Sequence, residues 1–254
     1  MEQSVSPGGE GVLSFPAVTL GLKSRGLCPN AAFHPRADEL NYSRRSQKQS
    51  SGRTVLGRKH GLEVLNKSGI VLLVACWEAF VEDLGASAFD HMLANATSHT
   101  TFPDCVLAKA THDLREAQDA REIWKLAGDG WKTVLKAHRT DVIQEYTAKL
   151  NTPKPKQVNA LIEALIGLSG LSSRWRWEGT SADKASERLT KLVELRGSIA
   201  HRVSSAEPVH KADVSNCIAF VYRLAVKSSN AVREHILART GKSPWPRYRF
   251  GKVS

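Results

Sequence analysis

Sulfur-bearing and aromatic residues are scarce in this 254-residue chain: four cysteines, two methionines, and Phe, Trp and Tyr together only 7%. Cys28, Cys76, Cys105 and Cys217 are far apart, and no two form a Cys-x-x-Cys pair. That excludes a zinc ribbon or a redox dithiol, so no metal or other cofactor is expected. Cys76 and Cys217 lie in apolar helical runs, where a free thiol behaves as a small hydrophobe. Long apolar runs are missing too. The longest covers residues 70–77 and ends at Glu78, short of the ~20 residues a membrane-spanning helix needs. The N-terminus has no basic stretch leading into an apolar one, so a secretory signal is not expected and cytoplasm is the default location. Alternation of period two is absent as well, which argues against strands.

What is present is positive charge and helical periodicity. The formal net charge is +11, concentrated in residues 1–60 and after Ala238, while the middle nearly balances. Such a surplus is compatible with a polyanionic partner. The end of the chain, Arg239-Thr-Gly-Lys242-Ser-Pro-Trp245-Pro-Arg247-Tyr248-Arg249-Phe250-Gly-Lys252, has no acid and interleaves aromatics with cations. It reads either as a solvated tail or as a nucleic-acid contact in which rings stack on bases and cations neutralise phosphates. Residues 1–59 are rich in Gly, Ser, Pro and basic residues without periodicity, and read as a disordered leader. Met1 and Met92 are the only methionines, so one reading is that translation starts downstream at a non-Met codon and part of this leader is missing from the native product. Intact mass of the native protein tests it.

From Lys59 the pattern becomes helical. Leu62, Leu65, Gly69-Ile70, Leu73, Trp77, Phe80 or Val81, and Leu84 predict one long apolar helix, with Glu78, Glu82 and Asp83 on another flank. Further helices are predicted over 104–126, 131–150 (stopped by Pro153 and Pro155) and 156–168. Residues 169–179 read as a loop anchored by Trp175 and Trp177. Thr180, Ser181 and Asp183 can cap a helix carrying Leu189, Leu192, Ile199 and Val203, and a last helix over 211–238 has the face Val214, Ile218, Val221, Ala225, Val232.

One residue disobeys its own helix. The stripe Leu189, Leu192, Arg196, Ile199, Val203 advances by 3, 4, 3 and 4, placing Arg196 where a core residue belongs. A guanidinium cannot lose its proton to escape burial, so it needs a carboxylate, a phosphate or water. Glu78 is the candidate carboxylate; a groove or dimer seam is the alternative. Gly197 and Ser198 leave room beside His201. Residues five apart on a helix differ by about 140° in direction, so Arg196 and His201 of one chain do not point at one spot unaided. Two copies about a twofold axis would bring both pairs into a shared cleft. An Arg…His spacing alone is nearly uninformative, and a surface or interface histidine satisfies it equally well.

The segment Lys191-Leu-Val-Glu-Leu-Arg196-Gly-Ser-Ile-Ala-His201 resembles the Arg-x(4–6)-His signature of the HEPN superfamily, and the chain looks most like its RiboL-PSP-HEPN group. Asn66, Ser68, Leu72-Leu73, Ala75, Glu78 and Phe80 match that group's early helix, Asn-x-Ser-x-Val-x-Leu-Leu-x-Ala-x-x-Glu-x-Phe, and the Trp-rich loop before the signature also fits. The resemblance covers roughly residues 60–238. It implies an all-α bundle of four to five main helices that forms a homodimer, with the signature helices lining a cleft. It also implies a metal-independent endoribonuclease, toxin-like or defence-related and held in check by an antitoxin or other regulatory protein. In that chemistry the 2′-hydroxyl attacks the adjacent phosphate and leaves 2′,3′-cyclic phosphate ends. Arg196 would bind phosphate, His201 would transfer the proton, and Glu78 would orient Arg196, with Gly197 and Ser198 in support. Arg202, Arg247 and Arg249 are the candidate RNA-binding cations. Catalytic members of the family usually carry a polar residue, often Asn, directly after the Arg, where this chain has Gly197. A non-catalytic HEPN module that binds RNA or a partner protein is the alternative.

Overall fold

The computed structural model describes residues 58–150, 152–201 and 208–250, with the side chains of 58–61 and of His201 outside the description. Among these residues there are eight α-helices and no strand, only an isolated bridge between Trp177 and Thr180.

Helix α1, Arg58–Asn95, is the axis of the bundle. Ile70, Val74, Trp77, Val81, Leu84, Ala88, Phe89 and Met92 are at most 3% exposed and form one continuous helical stripe. Gly85 on this helix admits a close neighbour, because a Cβ there would stand 2.8 Å from Leu165 Cδ1. The stripe therefore continues well beyond residue 84. By length and composition α1 could cross a membrane, but its buried stripe is the core of this bundle. Leu62 and Leu65, expected in the core, are 58% and 67% exposed, since the buried stripe begins only at Ile70.

Where one helix is expected over 104–126, three shorter pieces form: α2 (Asp104–Ala110), α3 (His112–Glu116) and a 3-10 turn (Ala120–Leu126). Thr111 turns the chain with φ −99° and ψ 6°, and its hydroxyl donates to Leu107 O at 2.8 Å, bonding that competes with a regular helix. The next expected helix is likewise divided at His138, into α4 (Gly130–Ala137) and α5 (Arg139–Thr147). Arg139 at the start of α5 forks onto the Asp90 carboxylate of α1. Helix α6, Pro155–Ile166, has proline in its first turn and ends at left-handed Gly167 (φ 75°), short of the expected end at 168 because glycine takes up the left-handed turn there.

Trp175, fully buried after a 3-10 turn at Leu171–Arg174, ties the loop into the core. Its indole donates to Ser228 Oγ at 2.9 Å and meets Trp77 edge-on at 5.9 Å, while Trp77 donates to Pro153 O at 3.1 Å. Both buried indole N–H groups are thus satisfied. Helix α7, Ala182–His201, follows, and α8, Lys211–Thr240, closes the bundle. Gly69 lies close enough to α8 that a Cβ would stand 3.3 Å from Val214 Cγ1, and Asn66 donates to Val209 O at 2.9 Å.

The basic end does not trail freely. Residues 243–250 return along α8: Trp245 donates to Ser229 O, Arg233 donates to Trp245 O, and Asn230 both donates to and accepts from the Tyr248 backbone. The solvated-tail reading is therefore corrected for these residues, because α8 supplies partners for their backbone.

Candidate active site

Ser181 opens α7, its hydroxyl accepting from Lys184 N at 3.3 Å. Ala185, Leu189, Leu192, Val193 and Ile199 bury one face, and Arg196 lies on that stripe as its spacing predicts. Val203 lies outside the described residues. The Arg196 side chain is only half-buried, yet its Nε is shielded from water and has no hydrogen-bond partner.

Neighbouring cations on α7 are satisfied. Lys191 pairs with Glu187 at 2.7 Å. Arg188 stacks 4.4 Å over the Phe220 ring and donates to Asn216 O at 3.1 Å. Glu194 is taken by Lys154 at 2.8 Å. Among the described residues, Arg196 makes no ion pair.

Glu78 does not meet it. Among the described residues no ion pair links Glu78 to Arg196, and the charge of Glu78 is felt by Glu82, one turn along its own helix. Burial pushes the Glu82 carboxyl above its ordinary range, and the charges of Glu78 and Asp83 push it further; burial alone raises Asp83. Glu78 belongs to this acidic flank of α1, and the positioning of Arg196 by Glu78 is not a contact of this bundle.

Gly197 borders open space, since a Cβ there would meet nothing within 4 Å. Ser198 is exposed and its hydroxyl donates back to Leu195 O at 2.8 Å, so its proton is engaged along the helix. His201 is the last residue of α7; its side chain and all of Arg202 lie outside the described residues. Arg247 and Arg249 are exposed on the returning end, with Arg247 3.6 Å from Glu234. Arg247 lies beside the second half of α8, while Phe250, next to Arg249, packs on Tyr222 and Arg223 of its first half; in that same half Cys217 and Phe220 face Arg188, Leu192 and Leu195 of α7 across a shallow groove. Burial raises the Cys217 thiol there, against the opposing charge of Arg188.

Three cation–ring contacts escape the sequence reading: Arg188 over Phe220, and Arg223 with both Phe250 (4.4 Å) and Trp177 (5.9 Å). Each joins residues far apart in the chain, so no local pattern announces it. Among the described residues, no group of three His, Cys, Asp or Glu side chains could hold a metal ion.

A strand-free bundle built on one long core helix, with an Arg-bearing stripe running to a histidine at the helix end, is the arrangement of a HEPN-type domain. The RiboL-PSP-HEPN family model matches residues 33–234, most of the chain, and the protein belongs to that family. The match begins ahead of Lys59, inside the stretch whose composition reads as a leader. No curated protein and no solved structure matches the chain.

Proposed function

We propose that the protein is a metal-independent endoribonuclease of HEPN type, acting in the cytoplasm as a homodimer under the control of a regulatory or antitoxin partner. Arg196 carries this reading. A permanent cation with a shielded, unpartnered Nε, surrounded by cations that already have partners, is chemically matched to a phosphate oxygen. His201, five residues on at the helix end, has the side-chain type that takes or gives a proton near neutrality. In the step proposed, the ribose 2′-oxygen attacks phosphorus while its proton passes to the imidazole. The bond from phosphorus to the 5′-oxygen breaks, and that oxygen takes a proton from solvent. The products are a 2′,3′-cyclic phosphate and a 5′-hydroxyl. Arg196 balances the charge added to the phosphate.

Purified full chain incubated with RNA in EDTA tests this. Cleavage to cyclic-phosphate ends is expected, with at least ~100-fold loss in both Arg196→Ala and His201→Ala, the scale of a lost proton-transfer group. Intact RNA with folded wild-type protein, or wild-type activity in both variants, rejects the assignment. Loss of cell toxicity in His201→Ala would support the toxin-like role.

Gly197 and the absence of an ion pair between Glu78 and Arg196 support a second reading, a HEPN module that binds RNA or a partner protein without cutting it. Such binding would survive both substitutions, fall steeply with salt, and weaken on Arg247→Ala with Arg249→Ala.

A further inference from the structure

Six side chains from four parts of the chain make one unbroken run of rings and guanidinium groups. Arg188 of α7 lies 4.4 Å over the Phe220 ring of α8, and Phe220 stands 6.2 Å from Trp177 of the loop before α7. Arg223 of α8 is 5.9 Å from the Trp177 ring and 4.4 Å from that of Phe250 on the returning end. Phe250 in turn tilts against Tyr222 at 5.4 Å. Phe220 is buried and Trp177 packs on the core, while Arg188 and Phe250 are exposed. The run exists because α8 gathers α7, the loop and the returning end along one side.

How these arginines are held decides what they can do. Arg121 and Arg139 each fork onto a carboxylate, which fixes the guanidinium and neutralises its charge. Arg188 and Arg223 are fixed by rings instead, Arg188 with a further hydrogen bond to Asn216 O at 3.1 Å. A ring neutralises nothing. It holds the guanidinium in a plane, leaves the full charge, and keeps N–H donors for an outside acceptor. Among the described residues neither arginine makes an ion pair, and nor do Arg176 and Arg249, the exposed neighbours of Trp177 and Phe250. Three acids of α7 and α8, Glu187, Asp213 and Glu234, are engaged by Lys191, the His210 backbone N–H and Arg247.

We infer that this run is a track for single-stranded RNA, whose bases stack on the Arg188 plane and the exposed Phe250 ring while the unpaired arginines neutralise phosphates. The flat groups select the occupant. In a duplex the bases stack on one another, and an A-form groove offers these side chains only phosphates and 2′-hydroxyls. An acidic protein would meet the charges but leave the planes unused. The track also begins where the proposed cleavage site needs it. Arg188 precedes Arg196 on α7 by about two turns, ~12 Å along the axis. The shallow groove lined by Leu192, Leu195, Cys217 and Phe220 runs from Arg188 to Leu195, the neighbour of Arg196. A strand on the track is thereby held within reach of that arginine. The inference rests on RNA being the ligand, as the proposed function has it, and does not depend on cleavage.

Fluorescence anisotropy with the full chain and a labelled oligouridylate of about 12 nucleotides, within the ~4–16 a stacking groove covers, tests it. Arg196→Ala serves as the parent, so that no strand is cut. Adding Arg188→Lys and Arg223→Lys keeps both charges and loses both planes. Affinity is then expected to fall at least ~10-fold with the salt dependence unchanged. Phe250→Ala removes one exposed ring near the chain end and should cost ~3-fold, which keeps the track testable if the lysine variant fails to fold. An RNA duplex of the same length should bind more weakly than the strand. Equal binding by the lysine variant and its parent would leave only charge and overturns the track. So does an equal hold on polyglutamate of matched charge, tighter binding of the duplex, or no strand binding at all. Binding that depends on Arg188 and Arg223, in a wild-type chain that leaves RNA intact, would reject cleavage and keep the track. RNA cleavage by wild type together with binding indifferent to both arginines would do the reverse.

Discussion

Arg196 keeps its Nε away from water with nothing to accept the hydrogen bond, and that arrangement costs folding free energy. A buried unsatisfied donor costs ~1–3 kcal/mol, and the half-exposed side chain places this case near the lower end. Arg196→Met, which follows the stripe of Leu192 and Ile199, is therefore expected to stabilise the chain by ~1 kcal/mol in urea unfolding while abolishing the RNA cleavage proposed above. A gain of stability with a loss of function identifies a residue kept for chemistry; a loss of both would mean that Arg196 holds the fold together. Gly197 gives the converse case. Its site is open and helical, so Gly197→Ala should add ~1 kcal/mol from helix propensity, read as a higher urea midpoint. No steric cost offsets this gain.

Among the elements, α8 does the most joining. Its His235 donates Nε2–H to Ile166 O at 2.8 Å, docking the end of α6. Burial, reinforced by the nearby Arg239 charge, lowers the imidazole below its ordinary value despite that hydrogen bond. In the unfolded chain the ring protonates as pH falls through its ordinary value near 6.5, while the folded ring stays neutral to lower pH. Stability from this group is thus complete above pH 7 and declines as pH falls below about 6.5. His235→Gln should flatten that part of the pH profile of thermal unfolding; an unchanged slope would remove His235 as its source. The returning end is a second joint. Trp245 is half-buried, and Trp245→Ala should cost ~2 kcal/mol in urea unfolding, less than the 3–5 kcal/mol of a fully buried Trp, because one side of the ring faces water. The same variant should loosen Arg247 and Arg249 by freeing the segment that carries them.

At the scale of the whole molecule, charge and apolar surface are segregated. The chain carries a surplus of +11, yet the exposed residues of α1 between Leu62 and Ala79 are uncharged, and one helix supplies both the core axis and that outer stripe. Leu62 and Leu65 read as core because hydrophobic periodicity tells that a face wants burial, not which surface buries it. The breaks at Thr111 and His138 were equally hidden: neither is Gly or Pro, and each bends the chain where packing asks for it. The docking of residues 243–250 depends on Asn230, which offers an amide to the backbone of Tyr248 and becomes a clamp only once α8 exists.

Helical period, with prolines and glycines as stops, was enough by itself to locate α6, α7 and α8 and the first part of α1, since caps and stripes are local properties. The anomaly of Arg196 on an apolar stripe, and the likeness of its surroundings to the HEPN signature, were equally legible in the chain. Only the tertiary structure decided that Glu78 makes no ion pair with Arg196, whose Nε is left without a partner. Only it decided which of the two apolar stripes of α1 enters the core. Both outcomes depend on how helices distant in sequence are rotated against each other, and that rotation is fixed by packing across the bundle, not by spacing along one helix.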